Sequence, residues 1–442
     1  MAMPAIHATD RVGGGRYAQL ARLGLMFDPW LTSTHPAVAA TAASILAGYE
    51  HLSPPRRRSM KARDREALGR MLRAVVANFA YAIATGVRPP AIGMSLRASK
   101  RKLTRYDPRG FSGLPVMLEA LSGPATFSLH KSDRKGTASA LTAGQALAET
   151  LSRFRFRPEH FGQAAGRETI CLARVERDFV DGTTTREPID YSDTAETRSH
   201  RAEMEKINAA LATAPLGMAP GGGPPVFTAY RPLRRHFNLP PDSPEGTERF
   251  DLGGRLFGGW WQDLPRTRRH AIRIAGQPVA DLDFASMFLR LAYLRAGLMP
   301  PAGDLYAGVP GLSDARWRDG VKGVASAMLF RSSPLTRLPR DLKGELPPGL
   351  SGSRVRAAIL TAHSGLAGVF ETGCGLGLMF TESRVLLASL RRLRDEGVAA
   401  LPMHDGLMVA RSQAGLAELA MGDASEEVTG ARLPISLKTL IE

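Results

Sequence analysis

"LPMHDGLMV", residues 401–409, sets a His and an Asp between two short apolar runs. Asp-Gly between alternating apolar residues signals a tight β-hairpin, because Gly accepts the positive φ that the turn needs. On that reading Asp405-Gly406 is turn chemistry alone. The alternative is a reactive carboxylate displayed on the turn. The rest of the chain has to decide between them.

A second carboxylate stands upstream in "QPVADLDFASMFLRLAYLRAG", residues 277–297. "PVADLD" alternates like a strand, and "FASMFLRLAYLRAG" then runs as a helix to a Gly stop. Asp283 therefore falls where a strand ends and a helix begins. It is either a helix cap, suited to the helix dipole, or a metal ligand at a strand tip. Asp281 shares its strand face and is either a helper ligand or half of a buried pair with an Arg. Arg290, seven residues after Asp283, faces the same side as the start of the helix.

Between these two stretches, "ARWRDGVKGVASAMLFRSS", residues 315–333, reads as a helix. Arg318 and Lys322 share one face at i and i+4, with Phe330 eight residues further on. Two cations on one face repel unless an anion lies between them, and that spacing suits a triphosphate. Two solvated side chains on a basic protein is the plainer reading. Upstream, "FDLGGRLFGGWW" sets Gly253, Gly254 and Arg255 beside aromatic residues. Glycines allow close backbone approach, so Arg255 could reach a phosphate backbone, or the stretch is simply a tight loop.

The composition points the same way. The 442 residues suffice for two or three domains. Lys and Arg number 58 against 42 acids, a net charge of +16 that attracts polyanions, nucleic acid first. Two distant cysteines, Cys171 and Cys374, give neither a disulfide framework nor a zinc spacing, and fit a reducing cytoplasm. No apolar run reads as a bilayer span, and the first twenty residues lack a signal-peptide layout.

Residues 36–86 read as helical. One basic run, "SPPRRRSMKARDR" with Arg56, lies inside this stretch just before its helix "RDREALGRMLRAVVANFAYAIATG", and a second, "SLRASKRKLTRYDPRG" with Arg101 and Lys102, follows it. Helix, hairpin and helix then follow over about residues 95–155, an order compatible with a winged helix. Residues 197–213 are an amphipathic helix, and "APLGMAPGGGPPVF", 214–227, is the clearest linker, placing a domain boundary near 220. The expected organisation is a mainly helical, basic region over 1–220, gripping nucleic acid or acting as a thumb, and a catalytic region over 221–442.

The ordered motifs resemble the palm and fingers of family A DNA polymerases and of single-subunit phage-type RNA polymerases. The first DNA-polymerase motif reads Asp-Tyr-Ser-x-x-Glu-x-Arg, and "DFASMFLR" matches it at Asp283 and Arg290, with Phe284 for the Tyr. The second, Arg-x-x-x-Lys with an aromatic eight residues on, is matched by Arg318, Lys322 and Phe330. The third, His-Asp on a hairpin, is matched by His404-Asp405. "GGRLFG" is similar to the Gly-Arg-Leu template–primer motif, and "GLGLMFTESRVLLASLRRL" to the helix before the third motif. The likeness extends to plasmid- and phage-associated replication proteins with such a palm, and covers about residues 230–412.

The resemblance implies an α+β fold: an antiparallel palm sheet with helices, and small fingers. It implies template-directed nucleotidyl transfer with two Mg²⁺ or Mn²⁺ ions held by Asp283 and Asp405. Lys322 is the expected catalytic cation. Arg318, Phe330, Phe288, Arg290 and His404 would line the nucleotide. Gly254, Arg255, Arg56, Arg101 and Lys102 would meet template or primer. Partners would be DNA and nucleoside triphosphates, with no membrane.

Departures from the pattern matter. Phe288 stands where DNA enzymes carry a Glu that excludes the 2′-hydroxyl, and a bulky ring there is itself a steric gate. Phe330 lacks the hydroxyl that favours ribonucleotides in the RNA enzymes. Both lean toward DNA synthesis. Gly406 replaces the Glu or Ser that follows the second Asp, and Ser326 the mid-fingers aromatic. No 3′-exonuclease carboxylate set is visible upstream. Primase-like or RNA-polymerising activity stays open, as do a DNA-binding replication protein with an inactive palm and template-independent nucleotide transfer.

Overall fold

The computed structural model describes residues 25–52, 60–85, 91–94, 104–123, 125–130, 139–177, 184–221, 226, 228–342 and 344–438. The chain forms two compact units: residues 1–168 with 220–232, and residues 169–219 with 233–442. The boundary expected near 220 coincides with one of three crossings between the units, the others lying at 168/169 and 232/233.

In the first unit, β1 (Leu25–Met26), β3 (Ala91–Met94), β5 (Ser139–Ala143) and β4 (Phe127–His130) form a sheet in that order. A second pair joins β2 (Leu31–Ser33) to β6 (Phe161–Gln163). The helices are α1 (Pro36–Leu52), α2 (Ala62–Ala84), α3 (Leu114–Ala120) and α4 (Gln145–Ser152). The region expected to be mainly helical therefore contains two small sheets. The helix–hairpin–helix order is present, and β5 is also paired on its other edge by β3, so the hairpin strands belong to a larger sheet.

α2 is the core helix of this unit. Its Leu72, Val75, Val76 and Phe79 are fully buried, and Phe79 stacks on Phe127 with ring centroids 5.9 Å apart. By length and composition this helix could cross a bilayer, contrary to the expectation from sequence; 72% of its apolar window is buried inside the protein. Asn78 closes the other side, donating to the carbonyl oxygens of Asp28 and Ala74. Asp28 accepts from Gln163 at 2.7 Å and from Tyr230 at 3.1 Å, and faces Arg167. Tyr230 is the clearest tie of the returning segment 220–232 to this unit.

The second unit is α+β. β11 (Gly253–Phe257), β10 (Arg234–Leu239), β7 (Ile170–Arg177) and β8 (Thr184–Ile189) form one sheet, antiparallel except for the parallel β10–β7 pair. The register Arg235↔Ile170 through Leu239↔Arg174 joins residues 169–177 to this unit. α5 (Ala195–Thr213) follows, started by a capping box between Thr194 and Thr197.

The other sheet has β9 (Leu216–Met218), β12 (Ile272–Ile274), β13 (Gln277–Phe284), β15 (Gly406–Ala410) and β14 (Leu401–Met403), with β16 (Ile435–Lys438) also paired to β13. β9 lies inside the stretch expected to be linker; its pairing with β12 draws Leu216 into the core. Around the sheet are α6 (Met287–Arg295), α7 (Arg318–Phe330), α8 (Gly352–Ala362), α9 (Gly375–Asp395) and α10 (Ala414–Thr429).

Candidate active site

β13 and β15 run antiparallel, so the end of one lies beside the start of the other. Asp283 is opposite Gly406, one residue from Asp405, and the Asp405 carbonyl oxygen accepts from the Phe284 amide at 3.3 Å. The two carboxylates 122 positions apart in the sequence share one end of the sheet.

The hairpin loop is not the expected Asp-Gly. Met403 pairs with Gly406, so the two loop residues are His404 and Asp405. His404 takes the positive φ, 57°, normally supplied by Gly. Gly406 lies in the strand for another reason: an added Cβ would stand 2.3 Å from the Leu282 carbonyl oxygen and 2.8 Å from Asp283 Oδ1. The missing side chain lets the strands close at the carboxylates. The hairpin is anchored from behind, where Trp261 and Gln262 both donate to the Pro402 carbonyl oxygen, at 2.9 and 3.0 Å.

Asp283 is not a helix cap. The N-cap of α6 is Ser286, at φ 52° and ψ 39°, whose hydroxyl donates to Asp304 at 3.1 Å. Asp283 is 9% exposed; burial and the Asp405 carboxylate push its carboxyl up, against the pull of Lys438. Lys438 forms an ion pair with Asp283 Oδ2, reaching diagonally from its place opposite Asp281. Asp283 Oδ1 is buried with no hydrogen-bond partner among the described residues. An orphaned carboxylate oxygen beside a second carboxylate suits a hard divalent cation that keeps several waters. Among the described residues no group of three or more His, Cys, Asp or Glu is placed to hold a metal, so protein ligands beyond this pair are not supplied that way. Asp281 is also buried, with its carboxyl raised by desolvation and pulled back by Lys438, Arg269 and Arg266.

Arg255 and Gly254 were expected to meet template or primer. Arg255 instead forms a two-pronged ion pair with Glu382 of α9, at 2.7 and 2.8 Å, and its guanidinium lies 5.4 Å from the Phe288 ring centroid. Its charge also feels Asp405 and Asp283. Glu382 is 1% exposed, and burial raises its carboxyl against Arg255 and Lys322. Gly254 is buried where β11 presses on α9: a Cβ there would meet Ser383 Oγ at 2.5 Å.

Arg290 was expected near the nucleotide. It is 5% exposed and donates to the carbonyl oxygens of Ala285, Pro301 and Gly303, so it holds the loop after α6. Arg318 is bound to Asp304 and lies over the Tyr306 ring at 5.5 Å. Lys322 is exposed, with no ion pair or hydrogen bond to a described residue. Phe330 meets Phe288, ring centroids 5.7 Å apart, and a Cβ at Gly375 would strike its ring at 2.5 Å. His404 turns its ring edge to Phe257 at 5.8 Å. Arg56, Arg101 and Lys102 lie outside the described residues.

Sequence reasoning missed Lys438, Glu382 and Asp304 as partners of these groups. Comparison with protein-family models and with curated proteins gives no match.

Proposed function

We propose that the second unit is a polymerase-like palm with small fingers that carries out template-directed nucleotidyl transfer, weighted toward DNA synthesis. The observation that carries this reading is the meeting of Asp283 and Asp405 at the ends of paired strands, with Asp283 Oδ1 buried and unpartnered. Asp283 and Asp405 would hold the divalent cations. Bound there, two such ions would stabilise the attacking and leaving oxygens of an in-line displacement.

The chain's own groups have separate tasks. Lys322, exposed and without an ion pair to any described residue, would bind a triphosphate and offset charge as pyrophosphate departs. Arg318 is restrained by Asp304 and would hold phosphate from that fixed position. Arg255, clamped by Glu382, places a fixed positive charge near both aspartates. The Phe288–Phe330 contact makes an apolar wall that would disfavour a 2′-hydroxyl.

An incorporation assay with purified protein and Mg²⁺ separates the readings. It compares dNTPs with NTPs, with and without primer and with and without template. Dependence on template and primer with dNTP preference supports DNA synthesis. Unprimed NTP incorporation would move the reading to a primase or RNA polymerase, and template-free addition to terminal transfer. No incorporation under any condition would leave a DNA-binding protein with an inactive palm.

A further inference from the structure

Immediately after α4, "RFRFR" spans residues 153–157. Residues 155–157 belong to no helix or strand. Arg153, Arg155 and Arg157 are exposed, and Phe156 between them is buried. Arg157 lies 3.8 Å from exposed Glu159; Arg153 and Arg155 make no ion pair with a described residue.

Phe154 is different. It is 40% exposed, the one exposed aromatic among the large apolar side chains of the described residues. Other rings back it. His35 lies edge-on at 5.6 Å and Phe156 tilts against it at 6.4 Å. His35 in turn meets Phe156 at 4.9 Å and His160 at 5.0 Å. The backing is fixed: His35 Nδ1 accepts from the Ala37 amide at 3.2 Å, and His160 Nδ1 from the Arg157 amide at 3.0 Å. A half-open aromatic ring on a rigid base, flanked by cations, matches what an unpaired base and its phosphates require. A duplex hides its base faces and offers only the phosphates.

We infer that Phe154, with Arg153, Arg155 and Arg157, forms a binding site for single-stranded nucleic acid on the first unit. A base stacks on Phe154 over His35 and Phe156. Arg155 and Arg157, both exposed and two residues apart, would meet neighbouring phosphates of the strand. The site uses none of the residues of the nucleotidyl-transfer reading, so either can fail alone.

The test is fluorescence anisotropy of the full chain with labelled oligo(dT), oligo(U) and a duplex of equal length. Phe154→Ala should weaken either single strand about tenfold and the duplex by less than twofold. Phe154→Trp should restore binding, which guards against a folding defect. The triple variant Arg153→Ala, Arg155→Ala, Arg157→Ala should flatten the slope of log affinity against log salt by about 2. Photocrosslinks from 5-iodouracil oligonucleotides should fall on Phe154 or His35. The inference is overturned if Phe154→Ala and the triple arginine variant both bind single strands as the unaltered chain does. It is also overturned if Phe154→Ala weakens duplex and single strand equally, or if crosslinks avoid residues 153–157 and His35.

Discussion

Asp283 and Gly406 face each other across the β13–β15 ladder, so closely that a Cβ at Gly406 would stand 2.8 Å from Asp283 Oδ1. The nearer obstacle is the Leu282 carbonyl oxygen, at 2.3 Å, which is backbone and cannot swing aside. Gly406→Ala should therefore force the strands apart, costing about 1–3 kcal/mol of stability. Nucleotide incorporation should fall with it. Urea unfolding and initial rates check both, and an alanine variant with unchanged stability and rate would remove the close approach from the account.

The two carboxylates repel each other. The Asp283 carboxyl is held above its ordinary value by burial and by Asp405, so the folded state disfavours its ionised form. The sign follows: the instability is fully present above the folded pKa and vanishes below the unfolded one. In metal-free protein, Asp405→Asn should raise stability by about 1 kcal/mol at pH 8, and by nearly nothing at pH 3. Added Mn²⁺ should raise the melting temperature of the unaltered protein but not of the variant. Thermal unfolding with and without Mn²⁺ decides this. Equal stabilisation by the metal would place the cation elsewhere.

Lys322 and Arg318 share a helix face but not a structural role. Lys322 is exposed and makes no ion pair with a described residue, so Lys322→Ala should leave stability within about 0.5 kcal/mol while incorporation falls steeply. Arg318 is tied to Asp304, which also receives Ser286 and the Tyr306 amide. Arg318→Ala should lower stability as well as raise KM for the nucleotide. Denaturation curves beside steady-state kinetics test the contrast, and equal stability losses would refute it.

The Arg255–Glu382 pair has one member 1% exposed, which makes it intolerant of a single change. Glu382→Gln would leave a guanidinium without its countercharge at a cost of about 3 kcal/mol. The freed Arg255 should also drift toward Asp283 and Asp405, raising the Mg²⁺ concentration needed for half-maximal incorporation. A metal titration of the variant shows whether it does.

Much of the second unit is legible in local sequence pattern. The alternation in "PVADLD", the helical spacing of "RDGVKGVASAMLF" and the apolar runs around His404-Asp405 are short-range signals, and those elements form where expected. What stayed hidden depends on distant pairings. Lys438 reaches Asp283 only because β16 adds to the free side of β13, and nothing near residue 438 hints at it. Glu382 looks like any polar residue on a helix until Arg255 lies against it. Arg290 stands seven residues after Asp283 as the motif resemblance requires, yet its donors go to three carbonyl oxygens. Asp-Gly suggests a turn, whereas the glycine serves a close approach and His404 bends the chain.

Under the proposed function, Asp283 and Asp405 are the catalytic carboxylates of a nucleic-acid-synthesising palm. The most direct measurement is primer extension on a DNA template with Mg²⁺, alongside Asp283→Ala and Asp405→Ala, with DNA binding measured on the same preparations. Template-dependent extension by the unaltered protein is expected, lost in both variants while DNA binding stays intact. Extension that survives both substitutions, or none from the unaltered protein despite tight DNA binding, would contradict it.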